Sequence, residues 1–283
     1  MSASDPSLAR PASLEEAAGA LGNGARPLAG GTDLVQLVRD RLVPTDALVD
    51  VRGLLPRGIE NGRIGAGTTL SELESSDAVP AALREACRLA ASPQLRNMGT
   101  LGGNLLQATR CWYWRLAFPC YLHGGDHCHA REGEHSEHAI FANEPCASAH
   151  PSDPAAALLA LGAEVETTVR RFPLGELYRL PTDADRSLTT LDPGELILAL
   201  HVLETDASVY LKAMDRRRYS FALVGVAAAR FSGRTRLALA GVAPIPWALG
   251  SLDELDRATP LPGNEYKLEI ARALVRRALD QLP

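Results

Sequence analysis

Between residues 99 and 150 the chain abandons every regular period, in a sequence that is otherwise mixed helix and strand. The stretch is entered through the glycine-rich NMGTLGGN and runs directly into TRCWYWRLAFPCYLHGG, so residues suited to close backbone approach stand beside cysteines and aromatic rings. An irregular segment of this length inside a compact domain is usually functional or disordered. Its glycine, cysteine and aromatic content favours function. Glycines let amide N–H groups reach a ligand, whereas aromatic-plus-cysteine segments pack a core or bind a metal.

The rest of the chain sets the context. At 283 residues, 46% hydrophobic and 22% charged, it is long enough for two domains, each with its own core. A net charge of -5 argues against a nucleic-acid surface, which would show a basic excess. No run of eighteen apolar residues exists, and the N-terminus carries Asp5 and no continuous apolar stretch, so no membrane span or leader is expected and a cytoplasmic location is. Cys87, in AALREACRLAAS, reads as a small buried hydrophobe. Cys111, Cys120, Cys128 and Cys146 fall within 36 residues, and cytosolic thiols clustered this way point to metal rather than disulfides. Their separations of nine, eight and eighteen are unlike the paired knuckles of structural zinc. Six of the seven histidines lie between 123 and 150, which keeps zinc as an alternative to an iron–sulfur cluster.

Around this segment the pattern is α/β. Ser13 with Glu16, and Thr69 with Glu72, have the capping-box spacing. ARPLAGGTDLVQLVRD reads as strand, glycine turn and helix, and ALVDVRGL as a strand. In HPSDPAAALLALGAEV, Asp153 is the expected N-cap and Pro154 fits the first turn. Strand-like runs follow at ELILALHVL, SVYLKAM, FALVGVAAARF and TRLALAGVA. A closing helix places Leu268, Ala271, Leu274, Val275 and Leu279 on one face. The junction is expected near 172–180, giving domains 1–175, with the irregular loop at 105–150, and 176–283.

Two glycine loops stand out. LAGGTDL puts Gly30 and Gly31 between a strand and a helix, where amides and a helix start suit an anion such as a pyrophosphate. Neither dinucleotide fingerprint nor P-loop spacing is met. Gly99, Thr100, Gly102, Gly103 and Asn104 form a second loop some 70 residues later, which reads as equally rich in donors.

LAGGTDL, IGAGTTLSEL, ASPQLRNMGTLGGNL, HPSDPAAALLALGAEV and YLKAMDRRRYSFALVGVA occur in an order that resembles the FAD-binding subunits of the molybdenum hydroxylases, the xanthine dehydrogenase and carbon monoxide dehydrogenase medium-subunit family. The resemblance runs from about residue 8 to 245. It implies an α+β fold: a vanillyl-alcohol-oxidase (PCMH)-type FAD domain of two α/β subdomains, plus a smaller C-terminal α+β domain. It implies non-covalent FAD held by Leu28, Ala29, Gly30, Gly31, Thr32, Asp33 and Leu34 and by the second loop, with Asp153 on the flavin side and Lys212 approaching the isoalloxazine. A lysine there would stabilise anionic reduced flavin; without the resemblance, Lys212 reads as a surface residue. The cysteine segment resembles that of the branch containing aldehyde oxidoreductase and 4-hydroxybenzoyl-CoA reductase, which implies a [4Fe-4S] cluster on Cys111, Cys120, Cys128 and Cys146.

The expected function is therefore an electron-transfer flavoprotein subunit of a molybdenum hydroxylase-type dehydrogenase. It would work with a molybdopterin-binding large subunit, a [2Fe-2S] small subunit and a small-molecule electron acceptor. The alternatives are a self-contained FAD-dependent oxidoreductase and a non-catalytic metal-binding structural protein.

Overall fold

The computed structural model describes residues 5–22 and 24–283; residues 1–4 of the N-terminal stretch read above lie outside them. Among the described residues no helix is long and apolar enough to cross a membrane.

Strand–helix–strand steps begin the fold. β1 (Ser7–Ala9), β2 (Ala25–Leu28) and β3 (Ala47–Asp50) form a parallel sheet in the order β1-β3-β2. α1 (Leu14–Ala20) and α2 (Leu34–Arg39) provide connections of the kind parallel neighbours require. Ser13 caps α1 by accepting from the Glu16 amide at 3.1 Å, but Glu16 returns its carboxylate to the Ala12 amide at 2.7 Å and not to Ser13.

A second, antiparallel sheet contains β4 (Ile59–Glu60), β5 (Arg63–Gly65), β6 (Glu164–Thr167), β7 (Arg171–Pro173) and β8 (Ile197–His201), in the order β4-β5-β8-β6-β7. β8 lies beyond the expected boundary at 175/176 and pairs with β5 and β6 in the middle of this sheet. Between β5 and β6 run α3 (Leu70–Glu74), α4 (Ala81–Leu89), α5 (Pro93–Arg96), α6 (Leu101–Leu105), α7 (Trp112–Arg115), α8 (His129–Glu132) and α9 (Asp153–Ala160). The Thr69–Glu72 box closes α3 reciprocally: Thr69 Oγ1 accepts from the Glu72 amide at 3.2 Å and Glu72 accepts from the Thr69 amide at 2.7 Å. The irregular stretch thus contains several short helices, each too brief to show a period.

At α9 the sequence expectation fails by one residue. Ser152 is the N-cap, its hydroxyl accepting from the Ala155 amide at 3.0 Å. Asp153 moves into the first turn, and its carboxylate is free for other partners. The alanines and Leu158 of α9 are buried almost all round, as a helix clamped between layers must be.

The C-terminal sheet is β9 (Ala207–Ala213), β10 (Val224–Phe231), β11 (Arg234–Ala240) and β12 (Trp247–Leu249), antiparallel in the order β12-β11-β10-β9. Ser232 and Gly233 turn β10 into β11 with φ of 46° and 83°, the left-handed pair that a two-residue hairpin loop needs. Alternation along the strands sorts the two faces. Ala227, Ala229 and Ala238 pack with residues of α4 and α9, whereas Val224, Val226, Leu237 and Leu239 meet Ala271, Leu274, Val275 and Ala278 of α10 (Tyr266–Asp280). Ala271, Leu274 and Val275 of the expected face are buried, and Leu268 and Leu279 pack at its margin.

Alanines on both sides of the α9 interface let helix and sheet approach closely, so added bulk has nowhere to go. Ala157, fully buried, is the sharpest case. Ala157→Leu is expected to destabilise the fold by about 1–3 kcal/mol, read as a lower urea midpoint by circular dichroism; an unchanged midpoint would show that the interface has slack.

Candidate functional site

A cavity of about 620 Å³ is lined by Ala29 to Leu34 of the first glycine loop, by Gly99, Thr100, Gly102, Gly103 and Asn104 of the second, and by Asp153 and Lys212. Its volume is that of a cofactor site. Leu28 lies outside the lining; it ends β2 and its carbonyl accepts from the Val51 amide.

The loops touch each other. A Cβ on Gly30 would sit 2.0 Å from the Met98 carbonyl oxygen, and one on Gly99 would sit 3.5 Å from Thr32 Oγ1. Gly31 has φ of +72°, a left-handed turn that directs the chain into α2. Their hydrogen bonding then separates them. In the second loop the Leu101 and Gly102 amides donate to the Thr68 and Ala66 carbonyls, and the Gly103 and Asn104 amides donate to Thr100. That loop spends its donors on the fold, contrary to its sequence reading. Among the described residues no protein group accepts from the amides of Gly30 to Leu34. The first loop therefore carries the donors, in a run that leads into a helix start.

Asp33 does not point its charge at the cavity alone. Its carboxylate pairs with Arg110 and Arg115, both at 2.9 Å, and accepts from the Ala108 amide at 2.8 Å. Burial pushes the Arg110 guanidinium down to about 10. Asn104 is likewise structural: its Oδ1 accepts from the Ser152 hydroxyl at 2.6 Å and ties α6 to the α9 cap.

Behind the cavity lies a buried trio. Lys212 Nζ donates to Asp153 at 2.6 Å and to the Leu89 carbonyl at 3.0 Å, and Tyr210 donates its hydroxyl to the other Asp153 oxygen at 2.6 Å. The Lys212 side chain is 1% exposed, so the surface reading of this lysine is wrong. Asp153 sits in the first turn of α9, and the Lys212 ammonium, reaching from β9, meets the C-terminal carbonyl of α4, each complementing a helix dipole. Tyr210 and Lys212 are two apart on β9 and so share a face. That spacing is the signal by which Tyr210 could have been found. Burial and Asp153 raise the Tyr210 hydroxyl above its usual range.

All four clustered cysteines line one small cavity together with Tyr113, Trp114, Tyr121 and Leu122. Cys111, Cys120 and Cys128 each immediately precede a helical turn, and amides reach their sulfurs: those of Tyr113 and Trp114 face Cys111, and those of Ala130, Arg131 and Ala147 face Cys128. Amides at helix starts favour thiolate. A hydrogen bond from the Cys146 thiol holds Cys128 down, to about 5, and raises Cys146; burial pushes Cys111 up to about 11. Among the described residues no three His, Cys, Asp or Glu side chains converge to hold a single metal ion. The four thiols thus share one small space, with the rings of Tyr113, Trp114 and Tyr121 on its wall. Cys87 is fully buried in α4, away from this set, and burial raises its thiol far above the usual range.

Two residues that no motif announced complete the region. His138 Nε2 lies 3.2 Å from Cys111 Sγ, and burial with the nearby Lys267 lowers the imidazole to about 4. Lys267, wholly buried, donates to the carbonyls of Glu137, His138 and Gly241.

The chain matches the family described as the FAD binding domain in molybdopterin dehydrogenase over residues 4–202. It is 38% identical to the aldehyde oxidoreductase FAD-binding subunit PaoB of Escherichia coli strain K12 over 288 aligned positions, covering 90% of this chain and 91% of that one. A carbon monoxide dehydrogenase medium chain of Afipia carboxidovorans is 44% identical over 106 positions, 34% of this chain and 37% of that one. In three dimensions the chain overlays a chain of the reconstituted CO dehydrogenase from Oligotropha carboxidovorans with a TM-score of 0.71 at 25% identity, over 99% of this chain and 98% of that one. These matches carry the PCMH-type flavin fold across the molecule, and the family and relatives' descriptions name FAD but no cluster. On the family match and the near end-to-end relative, the chain belongs to the molybdopterin dehydrogenase FAD-binding family and is a FAD subunit of a molybdenum hydroxylase-type dehydrogenase.

Proposed function

We propose that this subunit is an electron relay, which takes electrons from the [2Fe-2S] clusters of a small partner, fed by a molybdopterin-binding large partner, and delivers them to a small-molecule acceptor. The observation that carries this reading is the shared wall between two sites. Trp114 lines both the glycine-loop cavity and the thiol cavity, and the neighbours Arg110 and Cys111 face one each. A single stretch of backbone thus joins a flavin site to a second candidate redox centre.

FAD supplies the interchange between two-electron and one-electron transfer, and a [4Fe-4S] cluster on Cys111, Cys120, Cys128 and Cys146 supplies one-electron storage. The chain's own residues bind and exclude water. The amides of Gly30 to Leu34 would hold a pyrophosphate, the second loop supports the first, and Asp153 and Lys212 would present a paired charge to the ring end. Aromatic rings 112–114 and Tyr121 screen the thiols. We read residues up to about 201 as the flavin domain and the remainder as the smaller α+β domain.

Gly30→Ala is expected to lose most of its FAD, because the added methyl would meet the Met98 carbonyl, whereas Gly53→Ala, with open space around it, is expected to keep it. Acid precipitation of the wild type should release FAD into the supernatant. Full occupancy in the Gly30 variant, or flavin that stays on the precipitate, would reject the assignment.

Anaerobically prepared protein is expected to hold about four iron and four sulfide per chain. Alanine at any of the four cysteines should lower both, and Cys87→Ala neither. Stoichiometric zinc without labile sulfide would favour a structural metal site instead.

The relay reading is tested by adding an aldehyde, a purine or an aromatic thioester to the flavin-loaded chain alone. The flavin is expected to stay oxidised with each, to be reduced by dithionite, and to be reduced by substrate once both partner subunits are present. Rapid bleaching of the isolated chain by one of these compounds would make it a self-contained flavoenzyme.

A further inference from the structure

Between the two sites lies a third cavity, of about 40 Å³ and far smaller than the glycine-loop cavity, lined by Arg110, Cys111, Trp112, Glu137, His138 and Phe221 among others. It is large enough for a water molecule, which needs roughly 10–15 Å³ and two to four polar partners. Two unsatisfied polar atoms belong to side chains on its wall: Arg110 Nε and His138 Nδ1 are buried and have no partner.

Every other polar atom of these two side chains is committed. Arg110 Nη1 is held by Asp33 at 2.9 Å and Nη2 by Gln107 at 2.9 Å, while the guanidinium lies 4.7 Å from the Phe221 ring centroid. Only Nε remains, and it is a donor. His138 is 2% exposed, with Nε2 3.2 Å from Cys111 Sγ. Its ring stands edge-on to Trp112 at 4.8 Å, and its carbonyl accepts from Lys267 Nζ at 2.8 Å and Asn264 Nδ2 at 3.1 Å. The buried ring thus has the Cys111 sulfur on one side and Trp112 on another. As a cluster ligand Cys111 carries no S–H, so a hydrogen on Nδ1 would leave the Nε2 lone pair facing a sulfur lone pair. With the hydrogen on Nε2, the ring donates to Cys111 and Nδ1 is left as an acceptor.

We infer that a buried water occupies this cavity, accepts from Arg110 Nε and donates to His138 Nδ1, completing a hydrogen-bonded bridge from the flavin cavity to the Cys111 sulfur. The water sets the histidine tautomer, and the histidine places an N–H against one ligand of the thiol centre. The bridge is a positioning device: hydrogen bonds to ligand sulfurs raise the reduction potential of an iron–sulfur centre by stabilising its more negative state. The water site stands on protein geometry; the histidine tautomer and the tuning role rest on the cluster reading above.

A high-resolution crystal structure of the flavin-loaded protein tests the first part. An ordered water within hydrogen-bond distance of both Arg110 Nε and His138 Nδ1 is expected, and a dry cavity overturns the bridge. For the second part, wild type, His138→Phe and His138→Gln are compared by iron content and by redox titration followed by electron paramagnetic resonance. Phenylalanine keeps a ring against Trp112 but donates nothing, so its reduction equilibrium constant is expected to fall at least tenfold, about 59 mV for one electron. Glutamine, which retains an N–H donor, is expected to recover part of that loss. A phenylalanine variant with full iron and wild-type potential overturns the tuning role and leaves the cluster assignment intact. Wild type without iron overturns the assignment itself, and the tuning role with it. Should phenylalanine block assembly of the centre, the wild type decides through ¹⁵N-histidine labelling: a nitrogen coupling to the reduced centre is expected, and its absence overturns the contact.

Discussion

Asp33 is the charge on which the arrangement of the two sites depends. It sits at the start of α2 in the donor-bearing glycine loop, yet its carboxylate faces Arg110, Arg115 and the Ala108 amide, all at 2.8–2.9 Å. Arg115 also donates to the Thr109 and Ala108 carbonyls, so the turn leading to Cys111 closes around one guanidinium. The carboxylate and Arg115 are each 15% exposed, where a pair is screened less than at the surface and each partner left alone would bear a desolvation cost. One ion cluster thereby holds the first glycine loop and the thiol loop in a common frame. Sequence separation makes this an expensive contact to form, with more than 70 residues between partners, and hence one that only the completed fold sustains.

The C-terminal unit closes the same loop from the other side. Asn264 donates to the carbonyls of His135, His138 and Ala139, Tyr266 donates to that of Ser136, and Lys267 reaches those of Glu137, His138 and Gly241. The ammonium has three N–H donors and three acceptors, so its burial leaves no hydrogen bond unmade, although burial still lowers it to about 7. Residues 264–267 therefore clamp residues 135–139, while the C-terminal sheet covers α9. Irregular backbone can be buried here because its carbonyls find donors across the domain boundary.

What the sequence disclosed and what it withheld divide along physical lines. Local rules carried well: the Thr69–Glu72 box, the strand–turn–helix of ARPLAGGTDLVQLVRD and the apolar face of α10 each depend on neighbours within a few residues. Failures came where a distant partner decides. Asp153 has the residue type of an N-cap, but Ser152 is placed to cap and Tyr210 and Lys212 claim the carboxylate. The second glycine loop looks rich in donors until Ala66 and Thr68 are seen to accept from it. β8 pairs with β5 and β6 across the 172–180 stretch, a contact that no local composition there could reveal. Gathering of the four cysteines was legible from their clustering; His138 and Arg110, whose roles are purely spatial, were not.

Charge pairing also decides what the large cavity can attract. Lys212 was expected to face the ring as a bare cation, but Asp153 lies 2.6 Å away, and the two present a dipole whose field falls off faster than that of a charge. Asp33 is shared by Arg110 and Arg115, so that cluster keeps one net positive charge beside the first glycine loop. Arg26 is a further cation on the cavity wall; its Nε donates to the Pro44 carbonyl, and no carboxylate pairs with it among the described residues. It stands on β2, the strand that leads into the amides of Gly30 to Leu34. Excess positive charge and unspent N–H donors therefore concentrate at the first glycine loop, while the Lys212 end stays close to neutral. An elongated ligand with its phosphates at one end and an uncharged ring system at the other matches that gradient in only one orientation.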